Sequence, residues 1–269
     1  MHNASIALGV GLACNMGLTA VLWIFCVWRK DASLVDRYWS LLFAMPATID
    51  AALFVEHQAT APMRWLVVLV GIGSWALRLA VHITYRSWGH GEDRRYQAIR
   101  ARHQPYYAVK SLFLIFWLQA VLAWLLALPI AAALTGPRGW SVIDGLGVLV
   151  CVAGLLLETI ADAQLLRFRA NPDNAARVMN QGVWRYSRHP NYFGEACFWW
   201  GVWLWAVGAW GIHAMPLILA PTLMTYLLRR VSGVTLLEQD IGHRRPAYRE
   251  YIHNTPAFMP GRPKDRSPQ

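Results

Sequence analysis

Apolar positions in this chain come in unbroken runs rather than at the intervals of a soluble amphipathic helix. The runs 5–28, 39–55, 63–85, 111–134 and 142–163 are each long enough to cross about 30 Å of hydrocarbon as a helix. A further run, Phe193 to Val231, is too long for one crossing, and Gly208, Gly211 and Pro216 are expected to divide it into spans 193–210 and 214–231. In lipid only helices and closed barrels satisfy their own backbone, so the pattern predicts an all-α fold, a polytopic membrane bundle of seven transmembrane helices. Residues 1–269 are expected to form a single membrane domain. Positions 232–269 form a short cytoplasmic C-terminal cap in this reading, with the last residues disordered. The run Ser5 to Trp28 lacks the cleavage signal of a secretory leader and is expected to be a span.

Charge adds an orientation. The chain has 269 residues, a formal net charge of +10 and 25 Lys and Arg. All but Arg64, Arg78 and Arg138 fall in the loops after spans one, three, five and seven. Basic loops stay on the cytoplasmic side, so the N-terminus is expected outside and the C-terminus in the cytoplasm, in the inner membrane if the cell is bacterial. No soluble module is present to carry nucleic-acid binding, which the net charge alone would otherwise suggest. Cys14, Cys26, Cys151 and Cys197 all lie in apolar runs, without metal or redox spacing, and are expected to be buried thiols.

Ionisable residues inside apolar runs are costly in lipid and mark functional paths. Glu158, Asp162, Leu165 and Arg169 share one helical face at i, i+4, i+7 and i+11. Arg78, His82 and Tyr85 form a second stripe, followed by Gly91, Glu92, Asp93, Arg94, Arg95 and Tyr96. The richest segment is Arg185-Tyr-Ser-Arg-His-Pro-Asn-Tyr-Phe-Gly-Glu195. Pro190 suits a first helical turn, which sets Asn191 and Glu195 one turn apart, with Arg185 and Arg188 beside free backbone donors, a natural anion site. Glu238, Tyr248, Tyr251, Thr255, Pro256, Phe258 and Pro260 follow a break at Ser232 and Gly233 and read as the cap. There is no Walker loop, GxGxxG, HExxH or GxSxG, so a nucleotide would have to be held without a Rossmann or phosphate-loop domain.

RYSRHPNYFGE (185–195), the preceding Gln181-Gly182, GEDRRY (91–96) and the late element from Glu238 to Pro260 resemble the steroid 5-alpha-reductase family over roughly the C-terminal two thirds. RHPNY is also similar to a motif of isoprenylcysteine and phospholipid methyltransferases, where it helps bind S-adenosylmethionine. The Asn191–Glu195 pairing and GEDRRY favour the reductases. The resemblance implies a seven-span, NADPH-dependent enzyme that reduces the double bond of an enone, typically the 4,5 bond of a 3-oxo-4-ene steroid.

Asp162, Arg169, Asn191 and Glu195 match the family's cofactor-binding residues, with Glu158, Tyr192, Glu238, Tyr248 and Tyr251 as further cofactor candidates. Arg86, Arg94, Arg95, Arg185 and Arg188 are candidates to neutralise pyrophosphate and 2′-phosphate. The family's catalytic glutamate and tyrosine have no secure counterparts, and Asp36, Tyr38 and Tyr85 are the available donors. No metal is expected. The expected partners are the bilayer and a steroid or other hydrophobic enone taken up by a monomer. An S-adenosylmethionine-dependent membrane methyltransferase and a non-catalytic lipid-binding or transport protein are the alternatives.

Overall fold

The computed structural model describes residues 2–53, 61–231, 233–238, 241 and 246–264. Among them every regular element is helical. They are α1 (His2–Arg29), α2 (Val35–Tyr38), α3 (Leu41–Leu53), α4 (Pro62–Ser87), α5 (Arg94–Arg102), α6 (Tyr107–Ser111), α7 (Leu118–Thr135), α8 (Val142–Ala170), α9 (Pro190–Trp210), α10 (Leu219–Tyr226), α11 (Val234–Glu238) and α12 (Ala247–Asn254). A π-helical turn, Leu112–Trp117, joins α6 to α7, so Tyr107–Thr135 runs as one rod.

Among the described residues, five stretches are long and apolar enough to cross a membrane: Ile6–Arg29, Pro62–Ser87, Tyr107–Thr135, Val142–Ala170 and Pro190–Val231. The expected second span is represented by α3, 13 residues long, with a turn at 39–40, and its positions 54 and 55 lie outside the described residues, as do the last residues of the tail. The stretch Pro190–Val231 has 42 residues, about twice what one crossing needs. A 3₁₀ segment, Gly211–Ile218, interrupts it where the glycines and Pro216 are expected to break it. Gly211 takes φ +62, a left-handed conformation that disfavours a side chain and ends α9.

The chain forms two compact units. The first comprises Met1–Asp144 and Trp205–Leu217, with α1, α3, α4 and α7 packed on one another. The Trp23 indole donates to the Ala108 carbonyl and the Trp124 indole to the Leu8 carbonyl, so α1 and the rod 107–135 run antiparallel. Asn15 Nδ2 donates to the Leu42 carbonyl at 3.0 Å, and Ser40 Oγ to the Ala76 carbonyl at 2.7 Å. These interhelical bonds do inside lipid what the hydrophobic effect cannot, because side chains and lipid tails are equally apolar there.

Arg64 is fully buried in the first turn of α4. Its guanidinium grips both oxygens of Asp144, at 2.6 and 3.0 Å, and donates to the carbonyls of Arg138 and Gly139. Asp144 also accepts from the backbone and hydroxyl of Ser141. This buried charge pair is tolerated because the donors and acceptors around it are filled.

The second unit comprises Gly145–Leu204 and Ile218–Gln269. Its spine is the contact of α8 with the first part of α9. A side chain at Gly194 would come within 2.6 Å of the Gly154 carbonyl and 2.7 Å of the Glu158 backbone nitrogen, and one at Gly154 within 2.5 Å of the Gly194 carbonyl. The two backbones therefore touch, as small residues allow in membrane helices. Farther along, Cys151 donates to the Phe198 carbonyl at 3.3 Å, so the two helices run in opposite directions.

Candidate functional site

Close approach at Gly154 and Gly194 decides what lies next to it. One turn beyond Gly154 on α8 are Glu158 and then Asp162, and flanking Gly194 on α9 are Asn191 and Glu195. Glu158, Asp162 and Glu195 are all buried. Asn191 Nδ2 donates to Asp162 Oδ1 at 3.1 Å across the helix pair. The acceptor side of that amide is different: Asn191 Oδ1 is buried and has no hydrogen-bond partner among the described residues. A buried carbonyl oxygen left open costs about 1–3 kcal/mol, so it is a place where a donor from a bound molecule gains most. Arg169, in the last turn of α8, and Arg185, in the 3₁₀ turn Gly182–Arg185, are exposed.

That turn is tied to α8 by its own geometry. Gly182 has φ +57 with its Cα pressed against the Gln164 side chain, whose Oε1 accepts from the Val183 backbone. The Trp184 indole donates to the Ala161 carbonyl. Both bonds set the position at which the chain re-enters as α9.

The structure gives Arg188, Glu238 and Tyr251 a different role from the expected cofactor contacts. Arg188 donates to both oxygens of Glu238, at 2.7 and 2.9 Å, and to the carbonyls of Ile252 and Thr255. His189 Nε2 meets Glu238 Oε1 at 3.0 Å, and its ring stacks on Tyr192. The Tyr251 hydroxyl donates to the carbonyls of Trp184 and Ser187, with Tyr248 edge-on to its ring. These groups are spent on strapping the tail to residues 184–189, helped by Arg188 N to Pro256 O, Ser187 Oγ to Phe258 O and Gly261 N to Tyr186 O. Burial alone would raise the Glu238 carboxyl, but the His189 and Arg188 hydrogen bonds overcome it and hold its pKa at about 2. Burial raises the Tyr248 and Tyr251 hydroxyls.

The other candidates lie in the first unit. Asp36, on α2, is the centre of a hydrogen-bond chain: the Tyr96 hydroxyl donates to its Oδ1 at 2.5 Å and Arg95 to its Oδ2 at 3.0 Å. Gln119 Nε2, on α7, donates to the Tyr96 hydroxyl at 3.2 Å. Burial raises the Asp36 carboxyl, against the pull of Arg95 and Tyr96, and also raises the Tyr96 hydroxyl. Arg95 further holds Asp93, the N-cap of α5. Arg86 and Arg94 are exposed, as are Tyr38 at 38% and Tyr85 at 73%. Tyr85 lies in the last turn of α4 beside exposed Arg86 and Trp88, a setting that also suits interfacial anchoring. Among the described residues no group of His, Cys, Asp and Glu could hold a metal.

Residue reading alone missed Tyr96 as a partner of Asp36, Gln119 as a partner of Tyr96, His189 as a partner of Glu238, and the Arg64–Asp144 pair. Tyr96 and His189 sit inside the motifs already singled out, and Gln119 is a lone amide in an apolar run, which is the signal that could have found it.

A Schizosaccharomyces pombe (strain 972 / ATCC 24843) protein described as "Uncharacterized protein C594.04c" is 27% identical over 280 residues, covering 93% of this chain and 79% of its own length. No solved structure matches. The model of one family, described as "Protein of unknown function (DUF1295)", matches residues 22–255, most of the chain, and the chain belongs to this family.

Proposed function

We propose that the chain is a seven-span membrane oxidoreductase, with its tail as a cytoplasmic cap, that uses NADPH to reduce the carbon–carbon double bond of an enone lipid such as a 3-oxo-4-ene steroid. The observation that carries this reading is the Asn191–Asp162 pair, with the Asn191 carbonyl oxygen buried and open beside the buried carboxyls of Glu158 and Glu195. Support also comes from the motif resemblance and from the DUF1295 match, a family that includes steroid 5-alpha-reductase-like proteins.

The residues present fit the cofactor's polar end. Asn191 Oδ1 would accept from the nicotinamide carboxamide, while Asp162 fixes which way the amide faces. Glu195, one turn along α9, would take a further donor of the same molecule, and exposed Arg169 and Arg185 would meet its phosphates. Bound there, NADPH supplies a hydride for the β-carbon of the enone. The chain's part is to orient, to neutralise phosphate charge, and to keep the reacting atoms away from water in an apolar surround.

The test uses the full chain purified in detergent. NADPH is expected to raise its melting temperature, and absorbance at 340 nm is expected to fall when a 3-oxo-4-ene steroid is added. Asn191→Leu and Glu195→Ala are each expected to weaken NADPH binding at least tenfold. Stabilisation by S-adenosylmethionine and not by NADPH would replace this reading with a methyltransferase. Stabilisation by neither, with binding that follows the anionic lipid content of vesicles, would favour a lipid-binding protein.

A further inference from the structure

The hydrogen-bond chain Asp36–Tyr96–Gln119 ends in an atom whose polarity is decided by the other two. Tyr96 gives its single hydroxyl proton to Asp36 Oδ1 at 2.5 Å, and Arg95 holds the second carboxylate oxygen. The Tyr96 oxygen can then only accept from Gln119, so the Gln119 amide must turn Nε2 towards it, at 3.2 Å. Its Oε1 is then the amide atom turned away from Tyr96. That oxygen is buried and has no partner among the described residues.

Position makes the orphan acceptor unusual. Gln119 lies 12 residues into the span Tyr107–Thr135, about 18 Å along the helix, between the ends anchored by Trp23 to Ala108 and by Trp124 to Leu8. The π-helical turn Leu112–Trp117 comes just before it, a departure from regular helix that is common at functional positions. The surroundings of its partner Tyr96 are apolar, since Tyr96 belongs to one buried cluster with Cys26, Val35, Ile115 and Phe116. The same cluster buries the Tyr107 hydroxyl, also without a partner among the described residues.

The geometry points to a recognition site, in the membrane-spanning part of the first unit, for the hydroxyl group of a lipid alcohol, with Gln119 Oε1 as the acceptor that selects it. A ketone or an ether offers only lone pairs and would face lone pairs; a hydroxyl donates. Calling this lipid a substrate rests on the reductase reading, for which it adds that the enone lipid also carries a hydroxyl away from its reacting end. Recognition itself does not rest on it.

The test measures binding by thermal stabilisation of the full chain in detergent, without cofactor, for two probe sets. One set is a 3-oxo-4-ene steroid bearing a 17-hydroxyl, its 17-ketone and its 17-methyl ether; the other is octadecanol and octadecyl methyl ether. In at least one set the alcohol is expected to bind at least tenfold more tightly than its ether. Gln119→Leu is expected to abolish that preference while the unliganded protein still melts cooperatively. Tyr96→Phe frees the amide to turn over, so the 17-ketone is expected to rise to the level of the alcohol. Equal binding of alcohol and ether in both sets, which is the result if the acceptor holds only water, overturns the proposal, as does a preference that survives Gln119→Leu. NADPH stabilisation is read separately in the same samples, so loss of the hydroxyl preference and failure of the reductase reading are told apart.

Discussion

Glu238 shows how a single residue's role depends on its neighbours. Two bonds from Arg188 and one from His189 converge on its carboxylate, and Arg188 is itself filled by two tail carbonyls. With its pKa at about 2 in the fold against 4.5 ordinarily, the carboxylate contributes stability that is complete above about pH 4.5 and is lost as pH falls towards 2. Melting temperature followed from pH 6 to 2 is therefore expected to fall more steeply in the native protein than in Glu238→Gln. At pH 7 Glu238→Ala is expected to cost roughly 3 kcal/mol, because it strands a largely buried guanidinium. An unchanged denaturation midpoint in Glu238→Ala would show that the strap bears no load. The residue types around this knot were legible in the motif, but which of them bind the tail and which remain open was not. Only folding brings residues 188 and 238 together.

Among the elements, the α8–α9 pair carries the argument. Its register is set by where the backbones can touch, at Gly154 and Gly194, and that register places Asp162 opposite Asn191. Gly194→Val would force a side chain to within 2.6 Å of a carbonyl, and overpacking of this kind typically costs about 1–3 kcal/mol. The helices must part or slide, so a lowered melting temperature together with loss of NADPH stabilisation is expected. A variant that melts lower but still responds fully to NADPH would separate the crossing from the site. Run length located α8, and Pro190 located the start of α9, because run length, prolines and glycines are local signals. Such signals could not find α3's contacts or the π-helical turn before Gln119, which depend on what packs alongside.

For the whole molecule, the distribution of Lys and Arg carries a claim about orientation. In the expected seven-span arrangement, all but three of the 25 fall on one side of the bundle. One of the exceptions, Arg64, is neutralised inside the first unit by Asp144, so it contributes no free charge to its side of the membrane. A green fluorescent protein fused after Gln269 is accordingly expected to fluoresce, and alkaline phosphatase fused at the same point to be inactive. Active phosphatase there would reverse the orientation and, with it, the side from which a charged cofactor enters.

What the sequence by itself determined is the environment. Uninterrupted apolar runs leave no fold but helices in lipid, since an unpaired backbone there is too costly, and the few polar residues inside those runs had to matter for the same reason. What only the tertiary structure decided is partnership. Arg188 became a strut and Asn191 an open acceptor, although both belong to one eleven-residue motif, and Gln119 acquired its polarity from a tyrosine 23 residues away. Hydrogen bonds are short and directional, so their pairing is settled only when helices far apart in the chain lie side by side.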